Sequence, residues 1–184
     1  MATRQLTFDP ENHHYFLGSA RIPGVNEVLQ DVGIINTDWY KAEHAERGKL
    51  VHELTVAMDR GEPTVDLEMP EWISWKGYLT AWQQAKSEYE WEFEGYEVQF
   101  HDNTTVLPFA GTLDRVTKDS VIDIKTGKYS PWHELQIAAY AVMSGLKYQY
   151  LVYLGSDGSY KVKGVDGDWD VFDAALRVWW YKHG

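Results

Sequence analysis

The stretch Gly111 to Tyr140, GTLDRVTKDSVIDIKTGKYSPWHELQIAAY, decides the fold and carries most of the chemistry. Asp114 lies in an apolar, β-prone run, a polar turn follows at Lys118 to Ser120, and Val121 to Lys125 is a second short run of alternating character. The two runs predict a hairpin. Side chains alternate faces along a strand, so Asp123 and Lys125 project to one side, roughly 7 Å apart at the backbone, with Ile122 and Ile124 packed behind them. A helix predicted over Pro131 to Met143 then sets Gln136 and Tyr140 four residues apart on one face. Two carboxylates, an amine and a Gln/Tyr pair thus fall within one short span.

This residue set suits the hydrolysis of a phosphodiester. The scissile group is anionic, and a divalent cation that neutralises it also lowers the pKa of a bound water. Asp114 and Asp123 offer the hard oxygen ligands that Mg²⁺ or Mn²⁺ prefers. Lys125 beside such a cation can orient the attacking water or stabilise the pentavalent transition state. Plainer readings stand beside each of these. An isolated Asp-x-Lys triplet is more often a surface salt bridge. Asp114 could cap a turn or pair with Arg115, and Gln136 with Tyr140 could form a polar stripe on a surface helix. The cost of burying carboxylates in adjacent apolar strands without a cation or partner favours function for Asp114 and Asp123.

Four pieces, in order along the chain, resemble the PD-(D/E)xK nuclease superfamily, and within it the RecB-like and phage-type exonuclease branch. RGKLVH at Arg47 to His52 resembles the helical RGxxxH segment, and GTLD at Gly111 to Asp114 the GxxD strand. DIK at Asp123 to Lys125 resembles the DxK strand, and QIAAY at Gln136 to Tyr140 the QxxxY helix. The resemblance implies metal ligation by His52, Asp114, Asp123 and the Ile124 carbonyl, with Glu97 as the candidate for the glutamate that precedes the GxxD strand in many members. It further implies catalysis by Lys125, supported by Gln136 and Tyr140. The segment IPGVNEVLQDVG at Ile22 to Gly33 loosely resembles the family's PSVTxIL-like opening, from which Gly24 and Asn26 depart. His52 could otherwise be an ordinary helix histidine, but Gly48 lies four residues before it on the same helical face and clears space beside the imidazole.

Composition bounds the alternatives. With 184 residues and 44% apolar content, the chain is expected to form a single domain spanning 1-184 with a real core. No run near 18 apolar residues and no charged-then-apolar leader is present, so a soluble cytoplasmic protein of a bacterial host or phage-infected cell is expected, with no membrane partner. The absence of cysteine removes disulfides, thiolate zinc sites and the four-cysteine cluster carried by some members of the resembled superfamily. A net charge of −11 opposes general DNA binding, so local charge must decide. Arg47, Lys49, Arg115 and Lys128, with Lys118 and Lys125, are expected to form a basic mouth on an acidic body.

The remaining chain divides without repeats or long linkers. A β-prone opening runs to Leu17. A helix is expected over Asp38 to Met58, with Trp39, Leu50 and Leu54 among its apolar positions, ended by Gly61 and Pro63. A second is expected from Pro70 to about Tyr89, where Trp72, Trp75, Leu79, Trp82 and Ala85 recur at helical spacing and belong by default to the core. Stacking on unpaired bases is the alternative role for these tryptophans. Glu88 to Glu94, alternating with Tyr89, Trp91 and Phe93, predicts a strand, bulged at Gly95. Strands near Tyr148 to Leu154 and Tyr160 to Val165, joined by an SDG turn, precede a final helix from about Asp168. The aromatic tail VWWYKHG is expected in the monomer's own core rather than at a homo-oligomer interface.

The order helix, three strands, helix, strand predicts an α/β fold with a restriction-endonuclease-like core, αβββαβ, its mixed central sheet flanked by helices. The expected activity is that of a Mg²⁺- or Mn²⁺-dependent deoxyribonuclease, an exonuclease of phage or prophage recombination or repair. Its partners would be end-bearing duplex or single-stranded DNA and a recombination or single-strand-binding protein. A structure-specific endonuclease shares every motif, and a non-catalytic DNA-end-binding accessory or an acidic DNA mimic are the rivals from other classes.

Overall fold

The computed structural model describes residues 5–36, 42–62, 73–102 and 106–184. Asp38, Trp39, Pro63, Pro70 and Trp72, on which part of the helix expectations rest, lie outside the described residues. The chain opens with a three-stranded antiparallel sheet of β1 (Leu6–Asp9), β2 (His14–Leu17) and β3 (Ala20–Ile22). Helices α1 (Val25–Asp31), α2 (Ala42–Arg60) and α3 (Lys76–Tyr89) follow. A second sheet, in the order β4-β5-β6-β7-β8, comprises β4 (Gly95–His101), β5 (Ala110–Val116), β6 (Ser120–Lys125), β7 (Tyr148–Leu154) and β8 (Tyr160–Val165). Helix α4 (Trp132–Ser144) crosses from β6 to β7, and α5 (Trp169–His183) closes the chain. Of the neighbours in this sheet, β6 and β7 pair in parallel and the others antiparallel, which makes the sheet mixed as expected.

Burial follows the alternation of the central strands. Ile122 and Ile124 of β6 pack with Val152 and Leu154 of β7 against Val51 of α2 and Tyr78, Ala81, Trp82 and Ala85 of α3. Val121 and Leu151 turn to the other face, where Val28 and Leu29 of α1, Ile137 and Tyr140 of α4, and Phe172, Leu176 and Trp179 of α5 cover them. The sheet is thus enclosed by α2 and α3 on one side and α1, α4 and α5 on the other. Gly111 lets α4 approach β5, since a Cβ there would lie 2.7 Å from Tyr140 Cε1. Trp179 is buried and Trp180 donates its Nε1 hydrogen to the Pro108 carbonyl at 3.2 Å, while Tyr181 is 92% exposed. Most of the aromatic tail therefore serves the chain's own core.

One expected strand is absent. Glu88 and Tyr89 end α3, Glu90 turns the chain in the left-handed region, and residues 91–93 have no regular structure before β4 starts at Gly95. The alternation of aromatics has another cause. Trp91 and Phe93 stack on Trp82, Tyr89 stacks on Trp91, and Tyr150 lies beside Trp91, so the period of two serves a ring cluster rather than a ladder. The irregularity expected at Gly95 falls instead at Glu97, which takes a φ of 49°.

The β5–β6 hairpin pairs only at Arg115↔Ile122 and Val116↔Val121, then splays. The gap opens toward the C-terminal end of β6, beside α2. No helix among the described residues is long and apolar enough to cross a membrane.

Candidate active site

Two groups of side chains meet at the splayed end of the hairpin, one on each face of the sheet. On the α2 face, His52 Nδ1 lies 3.4 Å from Asp114 Oδ1 and 3.7 Å from Glu97 Oε1. Ligand atoms of His52, Glu97 and Asp114 all fall within 4.8 Å of one another, the one such group among the described residues. Glu97 reaches this point because β4 runs antiparallel to β5, with Tyr96↔Arg115 and Val98↔Leu113 paired on either side, so Glu97 stands across from Asp114. Its left-handed φ is unusual for a residue with a side chain and costs on the order of 1–3 kcal/mol, a strain tolerated mainly where geometry serves function.

The other His52 nitrogen, Nε2, lies 3.0 Å from the Ile124 carbonyl, to which it donates. That carbonyl keeps a second lone pair. Burial works against a charged His52, but Asp114 and Glu97 outweigh it and raise its pKa to about 10. Burial likewise opposes charge on Asp114; His52, Lys125 and the Ile124 amide together hold its carboxyl below the usual range. The last of these is a short hydrogen bond, Ile124 N–H to Asp114 Oδ2 at 2.7 Å, which ties β5 to β6 across the splay.

On the α4 face, Lys125 Nζ sits 2.6 Å from Asp123 Oδ2 and donates to Gln136 Oε1 at 2.7 Å. The lysine and the aspartate do share a face, as the strand alternation requires. The Gln136 amide is held by its other end: Nε2 donates to Asn26 Oδ1 at 2.8 Å and to the Tyr140 hydroxyl at 3.1 Å. Asp123 Oδ2 is buried and, despite the nearby ammonium, has no partner in hydrogen-bond geometry among the described residues. Burial pushes the Asp123 pKa up, Lys125 pulls against it, and the Asp114 charge adds to the rise. A buried carboxylate short of a donor, under the charges of Asp114 and His52, lies close to the His52, Glu97 and Asp114 group, whose donor atoms suit a hard divalent cation.

Both groups open into one cleft of about 1470 Å³. Arg47, Lys49 and Lys128 are among its lining residues. Arg115 does not, and its expected role at DNA is corrected: the side chain is fully buried, with Nε donating to Asp59 Oδ2 at 2.8 Å, Nη1 to the Asp114 carbonyl at 2.7 Å and Nη2 to Thr55 Oγ1 at 3.0 Å. The guanidinium lies over the rings of Trp82 and Tyr96. It supports the Asp114 strand from beneath. Lys118 sits on the turn at the far end of β6 from Lys125, outside the cleft.

No protein-family model and no curated protein sequence matches the chain. Among solved structures, an alkaline exonuclease from Laribacter hongkongensis superposes with a TM-score of 0.52 at 13% identity, covering 88% of this chain and 87% of that one. A provisionally assigned exonuclease from Eubacterium rectale gives 0.51 at 10% identity, covering 83% and 68% respectively. The chain has an exonuclease-type nuclease fold. Within that fold, Asn26 joins the site unforeseen, because its contact with Gln136 spans 110 residues of sequence. His133 also lines the cleft, one residue after Trp132, whose ring lies 5.4 Å from Lys125 Nζ. Nδ1 of His133 accepts from the Ser130 amide at 3.3 Å and lies 3.0 Å from the Tyr153 hydroxyl. Burial and then the Lys125 charge lower its pKa to about 3, so this histidine stays neutral.

Proposed function

We propose that the chain is a divalent-metal-dependent DNA nuclease of the PD-(D/E)xK superfamily's RecB-like branch, acting as an exonuclease in phage or prophage recombination or repair. The observation that carries this reading is the Ile124 backbone: its N–H binds Asp114, its carbonyl takes the His52 hydrogen bond, and its two neighbours in sequence are Asp123 and Lys125. The backbone of one residue therefore ties together the residues that the four motifs singled out at the splayed end of the hairpin, save the Gln136–Tyr140 pair. That pair joins through Lys125.

His52, Glu97, Asp114 and Asp123 would hold Mg²⁺ or Mn²⁺. When bound, the cation supplies charge neutralisation at the phosphate and a water of lowered pKa. Lys125 Nζ sits at the junction of Asp123 and Gln136, where it can donate to a phosphate oxygen or orient the attacking water. Gln136 holds that amine in place, and Tyr140, whose burial raises its pKa well above the usual range, remains a neutral phenol. Arg47, Lys49 and Lys128 attract the phosphate backbone at the mouth of an otherwise acidic chain.

The reading is tested by incubating the protein with Mg²⁺ or Mn²⁺ and end-labelled linear single-stranded DNA, linear duplex and closed circles. Exonuclease action predicts degradation of linear DNA alone. Cutting of circles would assign an endonuclease of the same fold, and binding of ends without hydrolysis would assign an accessory protein.

A further inference from the structure

Lys125 has a polar neighbour on the next strand. In the parallel β6–β7 pair it stands level with Tyr153, so the two side chains leave strands about 4.8 Å apart on the face that α4 covers. Helix α4 meets them with two residues that lie three apart and share a helical face. Gln136 accepts from Lys125 Nζ at 2.7 Å, and His133 presents Nδ1 to the Tyr153 hydroxyl at 3.0 Å. The first contact belongs to the motif residues. The second does not.

The Nδ1 contacts fix the tautomer of His133. A backbone N–H can only donate, so Nδ1, which accepts from Ser130 at 3.3 Å, carries no hydrogen. Burial, and then the charge of Asp123, raise the Tyr153 pKa, so the phenol keeps its proton and donates to the same nitrogen. Burial and then the Lys125 charge keep the imidazole neutral, and its one hydrogen therefore sits on Nε2. The ring is also held in orientation, since Trp132 at 4.2 Å and Tyr129 at 6.3 Å each meet it edge to face. Nε2 has no partner among the described residues, yet the one buried side-chain atom left unpaired among them is Asp123 Oδ2, so Nε2 is not sealed from solvent. His133 is 5% exposed and lines the cleft. Its accessible polar atom is thus a neutral donor, fixed one helical turn from the residue that holds Lys125.

What this donor lacks is an acceptor. Phosphate oxygens are the acceptors that a cleft with Arg47, Lys49 and Lys128 in its wall would draw in. We propose that His133 Nε2–H donates to a phosphate oxygen of the bound DNA strand, beside the phosphate that Lys125 engages. A neutral donor adds this contact without placing a second cation next to the lysine. The proposal rests on the nuclease reading and adds a substrate-binding residue to it.

Binding of end-bearing duplex with a single methylphosphonate at successive phosphates, measured in EDTA to prevent hydrolysis, tests the contact, because the methyl group removes an acceptor oxygen. His133→Asn leaves no donor where Nε2 stood and should weaken binding of unmodified DNA on the order of five-fold. The slope of log K against log salt should stay unchanged, since a neutral donor releases no counterion. His133→Gln, long enough to set an amide N–H near the position of Nε2, should retain most of the affinity. At one position of the scan the methylphosphonate should cost the wild type about five-fold more than it costs His133→Asn. Nitrogen NMR of histidine-labelled wild-type protein, with the His133 signal assigned by its loss in His133→Gln, reads the contact without relying on a folded His133→Asn. The hydrogen should sit on Nε2, and its resonance should move when the duplex binds. No position at which the wild type and His133→Asn differ, an equal loss in the two variants, a reduced salt slope, or a hydrogen found on Nδ1 would overturn the proposal. A His133-dependent phosphate contact in a protein that hydrolyses nothing would leave the contact standing while the nuclease reading fell; metal-dependent hydrolysis without such a contact would do the reverse.

Discussion

Asn26 Oδ1 accepts a hydrogen bond from Gln136 Nε2 at 2.8 Å, and through it α1 fixes which end of the Gln136 amide faces Lys125. With Nε2 engaged by Asn26 and Tyr140, Oε1 is left to accept from Lys125 Nζ. Asn26 thus acts on the lysine without touching it. Asn26→Leu is expected to cut kcat by about ten-fold with little change in KM, the equivalent of one lost hydrogen bond of about 1.4 kcal/mol. Asn26→Asp keeps the acceptor and should retain most of the activity. Equal losses in the two variants would show that Asn26 only packs.

Arg115 and Asp59 form a buried ion pair at 2.8 Å, with Lys86 also 2.9 Å from Asp59. Both members of the first pair are essentially inaccessible, so removing one leaves the other charged in a poorly solvated place. Arg115→Met should destabilise the fold by about 3–5 kcal/mol in urea melts, whereas Arg115→Met with Asp59→Leu should be distinctly less harmful. A loss below about 1 kcal/mol for the single variant would contradict this account of the pair.

His133 links stability to pH. Its folded pKa, about 3, lies below the unfolded value near 6.5, so the folded state resists protonation. Its contribution is present above pH 6.5 and is lost as the pH falls toward 3. Between pH 7 and pH 4.5 the loss should amount to roughly 2 kcal/mol. His133→Gln should flatten that part of the stability profile, as measured by urea melts at the two pH values; an unchanged slope would remove His133 as its source.

Lys49 and Lys128 line the cleft mouth, and Lys49 is largely exposed, with Glu53 beside it at 3.9 Å. Replacing both by alanine should lower DNA affinity and reduce the slope of log K against log salt by roughly 0.7–0.9 for each phosphate that is no longer neutralised. An unaltered slope would exclude these lysines from the phosphate backbone.

The sequence made the local parts of this site legible and left the long-range parts hidden. Asp123 and Lys125 share a face because a strand of period two requires it, and Gln136 and Tyr140 share one because a helix requires it. Their proximity needed no tertiary information. Asn26, Tyr15 and Thr112 gave no such signal, since their contacts join segments about a hundred residues apart. Arg115 misled by position: beside Asp114 in sequence, it is buried beneath the cleft against α2, held by Asp59 and Thr55 and covered by Trp82. Tyr89, Trp91 and Phe93 misled by period, because rings that stack on one cluster can alternate as regularly as a strand. The expected mixed sheet with helices on both faces is present, but its first strand, β4, starts at Gly95, beyond the segment from which a strand was expected.

The most direct test of the account is hydrolysis of linear DNA in Mg²⁺ or Mn²⁺ by the wild-type protein and by Lys125→Ala, with a parallel EDTA control. The account predicts metal-dependent cleavage by the wild type, abolished by EDTA and reduced at least a hundred-fold by loss of the lysine, on the order of 3 kcal/mol of transition-state stabilisation. Cleavage that survives EDTA, or a Lys125→Ala variant as active as the wild type, would contradict it.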